Sequence, residues 1–89
     1  MSKYSKQLKA LKKAVIEIAE SKGIKLTGDE FQLSVIEPPY RYDIHFETKS
    51  GAQGNVFFNG YGTEKGFLNG ITKAPRIEET YNTIIQWIK

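Results

Sequence analysis

The hydrophobic residues near the start of the chain recur with the period of an α-helix. They form a single stripe, spaced four and three residues apart: Tyr4, Leu8, Leu11, Val15 and Ile18. Ser2 and Ser5 are candidates to cap the start, and Gly23 follows Lys22 where a helix-ending glycine belongs. The pattern predicts an amphipathic helix from Tyr4 to about Lys22.

The period then changes from that of a helix to that of strands. Apolar residues alternate with polar ones from Phe31 to Val35, and Pro38-Pro39 ends this segment because proline cannot donate a ladder hydrogen bond. In the next segment Tyr42, Ile44 and Phe46 point to one face. The opposite face carries the polar set Arg41, Asp43, His45 and Glu47. This alternation predicts two strands of an antiparallel sheet that is covered on one face.

A third strand is predicted after the glycine-bounded turn at 49–54, from Asn55 to Phe58. Residues 59–73 leave two alternatives open. Asn59-Gly60 and Asn69-Gly70 are the dipeptides preferred in tight hairpins. The segment is therefore either one or more further short strands or a glycine-rich functional loop.

The last segment reads as a second helix that begins at Pro75, a residue well suited to the first helical position. Its apolar stripe comprises Ile77, Tyr81, Ile84, Ile85 and Ile88. We therefore predict a single α+β domain over residues 1–89, with two layers and the order αβββα. The antiparallel meander has three strands, or four if residues 59–73 pair, and both helices pack on its apolar face.

Composition removes several classes of function. The 89 residues include no cysteine and one histidine, which excludes a disulfide framework, a thiolate metal site and a multi-histidine zinc site. The sequence contains no apolar run of the roughly 18 residues that span a membrane, and its basic first residues lack the continuous apolar segment typical of a secretory signal. We expect a cytoplasmic protein without cofactor or metal. Thirteen basic residues against ten acidic ones, net +3, favour an anionic partner.

The basic residues are concentrated in the first half of the predicted helix. Lys6, Lys9 and Lys13 share the face opposite the apolar stripe, whereas Glu17 and Glu20 follow in the second half. The helix dipole favours the reverse order, so helix stability does not account for this arrangement. One interpretation is a patch that meets phosphates or an acidic protein; the other is a solvated helix face.

The outer face of the sheet offers a weaker candidate. His45 lies between Asp43 and Glu47, with Gln32, Ser34, Asn55 and Phe57 as expected neighbours. A histidine beside carboxylates is a possible general base. Because no nucleophile or second histidine accompanies it, a solvated sheet face with cross-strand pairs is the favoured interpretation.

Aromatic residues and glycines alternate from Phe57 to Phe67. Phe57, Tyr61 and Phe67, with Lys65 among them, are candidates for base stacking or for a protein-binding hot spot. The alternative is that these rings pack beneath the loop. Trp87 lies beside the stripe of the last helix, where it either covers the edge of the core or is an exposed anchor.

The order of elements resembles that of the double-stranded-RNA-binding domain. The stretch 60–65 is similar to the glycine-rich segment that precedes the second helix in that family. The paired lysines that open that helix in the family are absent here, and Glu78 and Glu79 lie at its start. The resemblance is one of topology, and no site residue follows from it.

These observations favour a small non-enzymatic binding protein that docks on a larger macromolecule. The expected class is an inhibitor from a phage or mobile element that blocks a host defence nuclease of the CRISPR type by steric occlusion. The alternative is direct binding of nucleic acid through the same lysines and aromatic residues. The expected binding residues are Lys6, Lys9, Lys13, Phe57, Tyr61, Lys65, Phe67 and Trp87.

Overall fold

The predicted order of elements is confirmed, with one additional helix. The computed structural model describes residues 4–36, 42–57 and 63–88. Within these ranges the elements are α1 (Ser5–Ser21), β1 (Phe31–Ile36), β2 (Asp43–Thr48), β3 (Gln53–Phe57), α2 (Glu64–Gly70) and α3 (Ala74–Ile88). The chain is an α+β protein of the αβββα arrangement, with α2 inserted before the last helix.

Helix α1 buries the predicted stripe, and its end is the one that the sequence indicates. Leu11 and Val15 are buried. Gly23 adopts a φ of 82°, and its N–H donates to the Glu20 carbonyl at 3.0 Å while that of Ile24 donates to Ala19 at 2.9 Å. These two bonds form a Schellman motif, which requires the left-handed conformation that glycine adopts freely. At the other end Tyr4 is the N-cap and no side chain caps the helix, so Ser5 does not have the predicted role; Ser2 lies outside the described residues.

The three strands form an antiparallel sheet in the order β1-β2-β3. Val35, Ile44 and Val56 lie side by side on one face. Strand β3 begins at Gln53, two residues earlier than predicted, and includes Gly54. The Phe46 ring covers this glycine so closely that a Cβ atom there would lie 2.8 Å from ring carbons. Close packing against an aromatic ring explains why a residue of low strand propensity belongs to β3.

Residues 64–70 form helix α2, so both alternatives considered for this part of the chain, strands or a glycine-rich loop, are wrong. The Thr63 hydroxyl accepts a hydrogen bond from the Gly66 N–H at 3.1 Å and caps the helix. Phe67 and Ile71, four residues apart, are both fully buried. Their burial outweighs the hairpin preference of Asn69-Gly70, which ends the helix instead. Asn59-Gly60 lies outside the described residues.

Helices α1 and α3 cover one face of the sheet, as predicted, and they also pack against each other. Helix α1 lies over β1, and α3 lies over β2 and β3. α3 begins one residue before Pro75, and its fully buried Thr80 donates its hydroxyl proton to the Arg76 carbonyl at 2.8 Å. None of the helices in the described ranges has the length and apolarity needed to cross a membrane.

Candidate functional site

The exposed side of helix α1 carries the predicted lysines. Leu11 and Val15 fix the opposite side in the core, with exposed fractions of 0% and 1%. Lys6, Lys9 and Lys13 lie three and four residues apart, which places them on one face, and all three are exposed. We call these three residues the basic face. Helix geometry alone therefore brings three positive charges together on a surface that the core leaves free.

Lys12 differs from its neighbours on the same helix. Its Nζ donates a hydrogen bond of 2.9 Å to the carbonyl oxygen of Phe31, the first residue of β1. The same ammonium lies 5.1 Å from the centroid of the Phe31 ring, within reach of a cation–π interaction. Lys12 thus fastens α1 to the sheet, whereas the three lysines of the basic face have no such role.

The charge on this side of α1 changes sign along the helix. Glu17 and Glu20 continue the spacing of the basic face, four and seven residues after Lys13, and both are exposed. The first turn of α1 contains no acidic residue and the last turn no basic one. Because the helix dipole favours acids at the start and bases at the end, the arrangement is not one that stabilises the helix.

Of the three aromatic residues expected at a docking surface in this part of the chain, the structure describes the side chain of one, Phe67. Phe67 is fully buried, stacked on Tyr42 at a centroid distance of 5.0 Å and edge-on to Tyr4 at 6.2 Å. Its assignment to a docking surface is therefore wrong, because a ring with no exposed area contacts only the core. Tyr61 and the side chain of Phe57 lie outside what the structure describes.

Lys65 and Trp87 are exposed, but not as part of the basic face. Lys65 is on α2, whereas Trp87 lies near the end of α3 and is 53% exposed. With Ile88, Trp87 lines a cavity of about 150 Å³ whose other walls are Glu30 and the β2–β3 turn at 48–50. Of its two predicted roles, exposed anchor or cover for the core edge, the structure favours exposure.

The outer face of the sheet has the predicted neighbours. The register places His45 opposite Ser34 and Asn55, and Glu47 opposite Gln32 and Gln53. The His45 Nδ1 atom lies 2.9 Å from the Asn55 side-chain oxygen. Asp43, expected to be solvated, is only 5% exposed, which corrects that part of the prediction; Arg41 lies outside the described residues. In the described part of the chain no three His, Asp or Glu side chains are grouped so as to hold a metal ion.

One carboxylate stabilises the loop between α1 and β1. Glu30 accepts hydrogen bonds from the backbone N–H groups of Thr27, at 2.8 Å, and Gly28, at 2.9 Å, and from the Thr27 hydroxyl at 3.1 Å. Burial acts to raise the pKa of Glu30, but the hydrogen bonds outweigh it and hold the pKa below its ordinary value. This charge is therefore structural.

Sequence reasoning missed a groove of about 300 Å³ between α1 and β1. Its lining residues are Ser5, Leu8, Lys9, Lys12, Gln32 and Leu33. Lys12, on the flank of the apolar stripe, and the uncharged sequence of β1 were the available signals. Neither shows the groove until α1 is known to lie over β1.

No protein-family model, no curated protein and no solved structure matches this chain.

Proposed function

We propose that this chain is a non-enzymatic binding protein that docks through the basic face of α1 on an acidic surface of a larger protein. The observation that supports the proposal most strongly is the contrast within one helix. Lys12 is engaged by the fold, whereas Lys6, Lys9 and Lys13 are exposed, and Lys6 lies in the first turn of α1, where the helix dipole disfavours a positive charge. Charges that the fold does not use are available to a partner.

The change of sign along α1 favours a protein over a nucleic acid. A phosphate backbone is uniformly negative, so Glu17 and Glu20 would repel a strand that followed the helix beyond Lys13. A protein surface can present acids to the basic face and a neutral or basic group to the two glutamates. Complementarity of this kind fixes the orientation of a partner as well as its affinity.

The proposed effect on the partner is steric occlusion, and the partner class remains the one expected from the sequence, a nuclease of host defence. The nucleic-acid channel of a CRISPR-type nuclease is positively charged, so a basic helix face is not complementary to it. An inhibitor built on this face would instead cover an acidic surface outside the channel and obstruct access or movement from there.

The experiment is affinity capture from nuclease-treated host lysate, with three forms of the tagged protein. The first is the wild type, and the second carries Lys6→Glu, Lys9→Glu and Lys13→Glu. The third carries Lys25→Glu, Lys49→Glu and Lys73→Glu, three exposed lysines in loops and turns outside α1. Each triple variant changes the net charge from +3 to −3, since three reversals of two units each remove six.

We expect a stoichiometric protein partner with the wild type and with the charge-matched control, and none with the variant of the basic face. Absence of a partner from all three captures, or equal capture by all three, would refute the proposal. A gel-shift series against salt tests the alternative. Binding of duplex or single-stranded DNA at about 50 mM salt that weakens steeply as salt rises would make nucleic acid the partner instead.

A further inference from the structure

We infer that the groove between α1 and the edge of β1 on which no described strand pairs binds an extended acidic peptide, which adds to the sheet as a fourth strand. The inference rests on the proposed binding function and names the segment of the partner that would be recognised. It follows from three features of this edge: its open backbone groups, the shape of the groove and the charge of its rim.

The register shows which backbone groups of β1 are open. The Lys49 N–H donates to the Glu30 carbonyl at 2.9 Å, and Gln32 and Ser34 face Glu47 and His45 in the same ladder. Ladder hydrogen bonds recur at every second residue of an antiparallel pair. Leu33 and Val35 therefore direct their N–H and C=O groups away from β2, towards the edge.

No described strand pairs with this edge, since β1 is the first strand of the order β1-β2-β3. The Phe31 carbonyl, which also points outward, accepts the hydrogen bond from Lys12. β1 contains no proline and no charged residue, the usual means by which an edge strand is protected from pairing. The backbone groups of Leu33 and Val35 are thus a template for an added strand.

The groove follows this edge. Gln32 and Leu33 point to opposite faces of the sheet, and both line the groove, so it must pass along the side of β1. Leu8 of α1 and Leu33 of β1 supply apolar surface, and both are partly buried against the core. A strand added here would therefore place alternate side chains between the sheet edge and the helix.

The charge of the rim selects the occupant. The two charged residues that line the groove are both lysines, Lys9 and Lys12. In a second copy of this chain paired through β1, the same lysines of both copies would be brought together, which disfavours self-association. An acidic peptide is attracted by them. Since side chains on one face of a strand are two residues apart, the peptide should carry Asp or Glu two positions from an apolar residue.

The test uses a random dodecapeptide library displayed on phage, selected against the intact wild-type protein. Enriched peptides are synthesised with a fluorescent label, and their affinities are measured by anisotropy. We expect proline-free sequences with an acidic residue two positions from an apolar one. Amide exchange measured by NMR should show that Leu33 and Val35 become protected when the peptide binds, whereas Gln32 and Ser34 are protected beforehand.

Two variants and one control probe the two halves of the site. Val35→Pro removes an outward N–H without removing a ladder hydrogen bond. Lys9→Glu reverses a rim charge on an exposed side chain and leaves the strand intact. Each should weaken peptide binding about tenfold or more, the effect of losing about 1.4 kcal/mol. Lys73→Glu, an exposed charge on another part of the surface, should leave the affinity within about twofold.

The double variant with Lys6→Glu and Lys13→Glu separates this inference from the proposed function, because neither residue lines the groove. It should keep affinity for the peptide and lose the captured partner. Failure to enrich any peptide, peptides indifferent to Lys9→Glu, or a dimer paired through β1 would overturn the inference. If one of these results were found and the double variant still lost the captured partner, the groove inference would be wrong but the proposed function would stand.

Discussion

Helix α2 and the exposed face of α1 both carry sequence features that suggested binding, and the fold uses only one of them. In α2 an aromatic residue and a glycine are part of the packed interior: Phe67 is fully buried and Gly70 is buried at the end of the helix. On α1 the three lysines of the basic face remain exposed and contribute nothing to the core.

The difference follows from the physical chemistry of the side chains. A phenylalanine gains free energy wherever it is removed from water, so the core of a small domain is its ordinary location. A lysine ammonium is strongly hydrated and enters the fold only with a partner, as Lys12 does at the Phe31 carbonyl. Unpaired surface charge in an order that disfavours the helix is therefore the stronger indication of function here.

The largest effect is expected at Phe67. Phe67→Ala should reduce the free energy of unfolding by about 3–5 kcal/mol, because it removes a fully buried ring and leaves a cavity. Urea unfolding followed by circular dichroism measures this. Lys65→Ala, an exposed position on the same helix, should change stability by no more than about 0.5 kcal/mol. If Phe67→Ala cost less than about 1 kcal/mol, the ring would not be part of the core and the contrast with α1 would fail.

A variant of Glu30 tests whether a charged side chain, unlike those of the basic face, contributes to the stability of the fold. Glu30→Gln should cost about 1 kcal/mol at neutral pH, because an amide can accept only part of the hydrogen bonds that the carboxylate accepts from Thr27 and Gly28. The folded pKa of Glu30 lies below its unfolded value. Its contribution is therefore complete above about pH 4.3, the ordinary value, and is lost as the pH falls through the folded pKa.

Unfolding of the wild type and Glu30→Gln between about pH 7 and 3 should show the stability difference shrinking as the pH falls. Glu47→Gln, at an exposed position on the outer sheet face, is the control and should have little effect at neutral pH. A difference for Glu30→Gln that grew on acidification would mean that the carboxylate is not held by these hydrogen bonds.

The most selective effect is a difference in stability between variants of two adjacent lysines, Lys12 and Lys13. Lys12→Gln should reduce stability by roughly 0.5–1.5 kcal/mol, since it loses the hydrogen bond to Phe31 and the contact with its ring. Lys13→Gln should change stability by no more than about 0.5 kcal/mol, because Lys13 is exposed and lies in the middle of α1. Thermal unfolding of the two variants side by side measures the contrast, and equal effects would remove the distinction between them.

Most of the fold could be predicted because the spacing of apolar residues agrees with the positions of the residues that end helices and strands. Leu11 and Val15 lie on a regular stripe that Gly23 ends, and Ile44 and Phe46 alternate with polar residues. Helix α2 could not be predicted because it is only seven residues long and its largest buried side chains, Phe67 and the adjacent Ile71, are buried by tertiary contacts. The start of β3 was missed because Gly54 joins the strand through the Phe46 ring across the sheet.

Part of the candidate site could likewise be predicted from the sequence, and part could not. Exposure of Lys6, Lys9 and Lys13 follows from the position of the apolar stripe, so the sequence was sufficient for the basic face. The groove at β1 requires the sheet register and the placement of α1 over β1, neither of which the local pattern contains. Burial of Phe67 likewise depends on Tyr4 and Tyr42, which are distant in sequence.

The central claim is that the fold does not use the basic face, and one variant tests it most directly. The protein with Lys6→Gln, Lys9→Gln and Lys13→Gln should unfold in urea with a free energy equal to that of the wild type or up to about 1 kcal/mol higher. The positive charge of Lys6 in the first turn of α1 is gone, and like charges three and four residues apart no longer repel each other. The same protein should fail to capture the partner. A loss of stability greater than about 1 kcal/mol, or capture equal to that of the wild type, would contradict the account.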